Sequence, residues 1–201
     1  NSSLKPVISY VNSLNYDITK GIFSGSLLVS HRYYNKPIME ETIIENNKFI
    51  RTKDNQKNWQ KLNTEMEVSV NPFKDHLIAK ITTGISYFDS KGNNYAHTYS
   101  NWYYRAEVNG YYKNWSAFFR IQNHRNNFFG ETLDIGENWH MIGIMYKHKQ
   151  LTIGGMMLNP FADNWKVGSE NRNKFAPSKN WEYVKESSRL FAFKLSYNFN
   201  F

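Results

Sequence analysis

Cysteine is absent from the 201 residues, which removes disulfide staples, cysteine-held zinc and thiol catalysis together. Long apolar runs are missing as well: no stretch of about 18 apolar residues occurs, so no transmembrane helix is written into the chain. No window carries the 3.6-residue spacing of a long amphipathic helix. Proline is scarce. Pro6, Pro37, Pro72, Pro160 and Pro177 fall at strand edges, turns or loops, where a missing N–H does least harm. No basic, apolar leader opens the chain at Asn1, so any export signal is expected outside it. There is no internal repeat, linker or low-complexity tract, and residues 1–201 are expected to form a single unit. Acidic residues are in deficit, 17 against 25 Lys and Arg, for a net charge of +8.

Aromatic residues are what the chain has in excess: 14 Tyr, 14 Phe and 6 Trp, 17% of the total. That excludes a disordered segment. They recur with a period of two, the repeat of a strand. Ile8, Tyr10, Leu14, Tyr16 and Ile18 oppose Ser9, Ser13, Asn15 and Asp17. Phe23, Gly25, Leu27, Val29 and Tyr33 oppose Ser24, Ser26, Ser30 and Arg32. The same pattern fills 61–70, 76–87, 102–112 and 115–122, and it weakens over 139–147 and 151–159. It is sharpest at the end, where Phe191, Phe193, Leu195, Tyr197, Phe199 and Phe201 share a face. Connections alternate short and long. Lys20-Gly21, 71–75, Lys113-Asn114 and 147–150 read as tight turns, and 35–58, 89–97, 123–138 and 161–187 as long loops. The first long loop holds strand-like pieces about the turn Glu45-Asn46-Asn47-Lys48, so an extended hairpin is expected there.

A soluble sandwich also alternates, but charge placement favours another reading. Arg32, Glu65, Glu67, Lys80, Arg105, Glu107, Arg120 and Lys194 lie in mid-strand, opposite the apolar faces. A dry core would bury such charges at a cost of several kcal/mol each, whereas an aqueous lumen leaves them solvated. Tyr10, Tyr16, Trp102, Tyr112, Trp115 and Trp139 sit towards strand ends, as in the aromatic girdles of outer-membrane barrels. The expected fold is all-β: an antiparallel up-and-down transmembrane β-barrel segment of about nine strands, part of a larger barrel. An odd strand count and unpaired edges imply further strands upstream or in another chain.

The closing Phe-Lys-Leu-Ser-Tyr-Asn-Phe-Asn-Phe resembles the C-terminal assembly signal of outer-membrane barrels, carried here by Phe193, Leu195, Tyr197, Phe199 and Phe201. Leu4-Lys5-Pro6-Val7-Ile8-Ser9-Tyr10 and Ser30 to Ile38 resemble late strands of TonB-dependent receptors. With Phe129-Gly130-Glu131 and Leu158-Asn159-Pro160-Phe161 in the same order, the chain is similar to the Bacteroidetes outer-membrane barrel family. The resemblance implies a receptor of about 22 strands around a plug. Such a receptor binds a nutrient outside the cell and imports it with energy from TonB. It also implies residence in the bacterial outer membrane and contact with lipid, with upstream strands and a plug, and through the parent protein with TonB and a surface lipoprotein. By the same resemblance the plug and TonB box are expected outside this sequence.

Rival readings carry less. The histidines His31, His76, His97, His124, His140 and His148 show no ligand spacing on one strand face, so no metal or other cofactor is expected. His140 with Ser100 or Asp134 would suit hydrolysis, but no nucleophile motif surrounds a serine, and no catalytic residue is assigned. Glu65 and Glu67 read as wall charge rather than paired acids. Basic residues are dispersed, which disfavours nucleic acid. Trp165, Arg172, Lys174, Trp181 and Tyr183 make 161–187 a candidate ligand loop, aromatics beside cations suiting sugar or aryl-chelate stacking. The alternatives are a non-transport barrel used in secretion or adhesion, and a soluble carbohydrate-binding sandwich.

Overall fold

A computed structural model describes residues 4–74, 76–162, 165–184 and 189–199, with the backbone alone for Trp165 and Val184. The described residues are all-β and antiparallel, with no helix. β1 (Ile8–Lys20) and β2 (Phe23–Asn35) meet through Gly21, whose φ of 61° glycine supplies without strain. β3 (Ile38–Glu45) and β4 (Lys48–Asn55) form the extended hairpin. Its central Asn46 and Asn47 take φ of 51° and 59°, the paired positive values of a primed two-residue turn, which asparagine tolerates. β5 (Asn58–Val70), β6 (Leu77–Lys91), β7 (Ala96–Tyr112) and β8 (Trp115–Gln122) follow as a meander. β9 (Asn127–Phe129) and β10 (Thr132–Ile135) lie inside the next loop, before β11 (Trp139–His148) and β12 (Leu151–Leu158). β13 (Trp165–Asn171) and β14 (Ser178–Val184) precede β15 (Leu190–Tyr197).

Nine strands form one sheet in the order β1-β2-β5-β6-β7-β8-β11-β12-β15. Cross-strand partners share a face, so the registers sort every side chain of this sheet into two sets. One set holds Leu14, Leu27, Met66, Ile81, Ile85, Trp102, Val108, Phe119, Ile142, Ile144, Ile153, Phe193 and Leu195. These apolar groups are largely uncovered: Leu14 is 71% exposed, Ile85 55%, Trp102 58% and Leu195 65%. The other set carries the mid-strand charges, while Lys20, Asp89 and Lys91, at strand ends, fall in the first.

The ladder is sheared. Lys20 and Phe23 flank the first turn as a pair, and partners followed from Phe23 pass through Val70, Ala79, Val108 and Phe119 to Ile142. Val108 is four residues short of Tyr112 (112 − 108), and Ile142 six short of His148 (148 − 142), the residues that flank the next two-residue turns. Each strand is thus offset by about one residue from its neighbour. With ~3.3 Å per residue and ~4.8 Å between strands, the strands incline about 35° from the perpendicular to the line of turns.

The hydrophobic core lies away from the apolar face. Trp59 and Phe88 project from the charged face at the long-loop end, and Met39, Phe128 and Leu133 of β3, β9 and β10 fold onto them. Trp59 Nε1 donates to the Phe128 carbonyl at 2.8 Å. We call this packed end the crown.

Three expectations are corrected. Residues 89–97 are no long loop: β6 runs to Lys91 and β7 resumes at Ala96, leaving only 92–95 as the turn. The loops 123–138 and 161–187 contain strands that pair across sequence as a four-stranded sheet, β14-β13-β10-β9. Trp139 pairs with Gln122 and so lies on the charged face, not among the apolar girdle residues. Met141, Gly143 and Met145 share that face, and these weakly polar neighbours hid the parity of β11.

Candidate functional site

Two features of the main sheet bear on function: a charged network on one face and aromatic groups arranged by height on the other.

On the charged face, Arg32, Glu65, Glu67, Lys80, Arg105, Glu107, Arg120 and Lys194 all share one side of the sheet. Lys80 Nζ meets Glu67 at 2.8 Å and Arg120 Nε meets Glu107 at 3.4 Å, both pairs bridging adjacent strands. Arg105 donates to Gln122 Oε1 at 3.2 Å. Glu65 Oε2 accepts from the Tyr103 hydroxyl at 2.7 Å and from Arg125 at 3.1 Å, and the Arg125 guanidinium stacks on the Tyr103 ring at 4.3 Å. Glu65 and Glu67 are therefore each engaged by a cation rather than by one another. Arg125 comes from the connection after β8 and has no place in an alternating pattern, so the sequence did not single it out.

On the apolar face, aromatic groups gather at two heights. Tyr10, Tyr33, Tyr87 and Trp102 stand towards the long loops, with the Tyr10 and Tyr33 rings 6.2 Å apart. Tyr112, Trp115, Tyr146 and Tyr197 stand by the short turns, with Trp115 and Tyr146 4.8 Å apart. Tyr16 lies four residues from Lys20 (20 − 16), nearer the short turns. Trp102 and Tyr112 are ten residues apart on β7 (112 − 102), ~33 Å along the strand and about 27 Å along the perpendicular at the tilt above. Tyr33, Tyr87 and Tyr146 complete the two rows; alternation already put Tyr33 and Tyr87 on apolar faces, but their height in the girdle follows only from their cross-strand partners.

At the closing strand, Phe193, Leu195 and Tyr197 line the apolar face, and Phe199 follows, 73% exposed. Phe201 lies outside the described residues.

The crown uses the proposed ligand residues unevenly. Arg172 turns inward: it donates to Glu170 at 2.8 Å, and its guanidinium lies over Tyr99 and Phe128 at 5.2 and 5.5 Å. Lys174 covers Phe175. Trp181 and Tyr183 share one face of β14, with Lys166 Nζ 3.7 Å from the Trp181 ring. Of Trp165 only the backbone, in β13, is described. Two buried carboxylates are fully engaged: Glu41 accepts from Gln56 and Asn94, and Glu131 from Asn173 at 2.7 Å. Burial raises the Tyr95 hydroxyl pKa, and the hydrogen bond from Lys91 to Asp89 raises that of the ammonium.

The histidines are spread through the molecule. His31 and Gln60 are 3.2 Å apart, His97 approaches Glu131, His124 meets the Gly136 carbonyl, His148 meets Asn114, and His76 lies beside the turn after β5. His140 Nε2 accepts the Phe161 N–H at 2.8 Å, while Ser100 belongs to β7 and Asp134 to β10. Among the described residues no group of three His, Asp or Glu is arranged to hold a metal ion.

A scan against protein-family models, a search of curated proteins and a search of solved structures each return no match for this chain.

Proposed function

We propose that this chain is a wall segment of an outer-membrane β-barrel, with its apolar face against lipid and its charged face towards an aqueous interior. The observation that carries the reading is the inversion of the sheet: apolar groups uncovered on one side of its nine strands, and the mid-strand charges on the other, ion-paired on β5 to β8. The strand tilt and the ~27 Å between aromatic rows support it, since membrane barrels tilt their strands by ~35–45° and carry an apolar band ~25 Å tall between girdles. The crown then stands above the outer surface, where long loops gather. The edges of β1 and β15 carry unpaired backbone groups that hydrocarbon does not tolerate, so further strands pair with them. The ordered likeness to TonB-dependent receptors supports assigning that barrel to nutrient uptake, with a plug, TonB and a surface lipoprotein as partners of the parent protein.

Because the chain lacks cysteine, single cysteines carry spin labels without background. Labels at Leu27→Cys, Ile81→Cys and Leu195→Cys in lipid vesicles are expected to collide with dissolved oxygen. Labels at Ser26→Cys, Thr82→Cys and Lys194→Cys are expected to collide with a water-soluble nickel chelate. Equal access to the nickel chelate at both sets overturns the proposal. The open edges also suit a second reading, a soluble sandwich whose second sheet covers this apolar face and whose Trp181 and Tyr183 bind carbohydrate. Labels at Leu27, Ile81 and Leu195 are then shielded from both probes.

A further inference from the structure

On the charged face some cations are paired with carboxylates and others are not. Lys80 and Arg120 each have a glutamate. Higher on the face, Arg32 and Lys61 are direct cross-strand partners on β2 and β5. Their side chains leave from points ~5 Å apart, and like charges directly opposed in a ladder are destabilising. Among the described residues Arg32 makes no ion pair. Lys61 holds its ammonium 5.0 Å over the Phe88 ring, at the lower margin of the crown core. Arg125 is the third cation, held on Glu65, which stands four residues along the same face of β5 from Lys61 (65 − 61). The one carboxylate in this group, Glu65, already serves Arg125 and Tyr103. Three cations therefore share one occupied carboxylate.

We infer that Arg32, Lys61 and Arg125 form a binding site for a small polyanion bearing phosphate groups. The parts suit that chemistry. Two guanidinium groups present planar, bidentate donors, and the Lys61 ammonium supplies a third cation. Arg125 is fixed in advance by Glu65 and by stacking on Tyr103, so little ordering is left for the ligand to impose. The position, where the crown core gives way to the open charged face, is where a solute captured outside would first meet the wall. This inference rests on the charged face being the aqueous one.

The test is calorimetric titration of the whole protein in detergent with pyrophosphate. Saturable binding is expected. Arg32→Gln and Lys61→Gln are each expected to weaken it at least tenfold, whereas Lys194→Gln, on the same face of the distant β15, leaves it within twofold. Arg32→Gln is also expected to raise the thermal midpoint without pyrophosphate, by relieving repulsion, and to abolish the rise that pyrophosphate causes in the parent protein. Absence of saturable binding, or equal weakening by Lys194→Gln, overturns the site. The two proposals fail separately. Labels that contact lipid with no pyrophosphate bound remove only the anion site. Saturable binding with Ile81 shielded from both spin probes removes only the bilayer reading.

Discussion

Gly84 shows how much of the charged network depends on one missing side chain. It is the cross-strand partner of Tyr103, and a Cβ there would lie 2.5 Å from the tyrosine hydroxyl oxygen and 2.7 Å from the Thr64 carbonyl oxygen. The bare backbone lets the Tyr103 ring lie across the sheet and reach both Asn63 and Glu65. Gly84→Ala is therefore expected to displace the ring, break those hydrogen bonds and cost about 1–3 kcal/mol. Gly25→Ala, where the nearest atom to a new Cβ is 3.5 Å away, is expected to stay within about 0.5 kcal/mol. Urea unfolding of the two variants in one detergent checks both. Of the charged partners of Tyr103, Glu65 was legible in the sequence as an alternating position and Arg125 was not. Their ligation was not legible either, because the glycine's role appears only once the register sets it opposite a tyrosine.

Among the elements, wall and crown differ in how openly the sequence announces them. Wall strands alternate because one face is greasy and the other wet, and a two-residue period survives in any window of β2 or β5. The Asn46-Asn47 turn was equally plain, since few residues accept two positive φ values in succession. The crown strands β9, β10, β13 and β14 are three to seven residues long, and their two hairpins are joined by a pairing between distant segments, Thr132 with Asn171. No local period records such a pairing. What holds them is Phe128, fully buried, with rings on several sides. Phe128→Ala is expected to remove about 3–5 kcal/mol of packing. The loss belongs to the crown alone, so limited proteolysis should cut within 123–138 while β5 to β8 remain protected. Simultaneous loss of wall and crown would show instead that the two fold as a unit.

For the molecule as a whole, the sheet's two faces should respond oppositely to the same added charge. Leu27 and Ser26 are sequence neighbours on β2, one on each face, at nearly the same height between the aromatic rows. Leu27→Arg puts a guanidinium on the uncovered apolar face, and near the middle of a bilayer such a charge costs ~2–4 kcal/mol. Ser26→Arg puts the same group on the charged face beside its partner Glu67, where it is expected to change stability by less than about 0.5 kcal/mol. Unfolding titrations in lipid vesicles measure the difference directly. The solvent dependence is as informative as the size. In thin, short-chain detergent the penalty at Leu27 should shrink as water reaches the face, while Ser26→Arg stays unchanged. A penalty at Leu27 that is the same in vesicles, in detergent and in plain buffer would mean that protein, not lipid, covers the apolar face, and would turn the reading towards a sandwich.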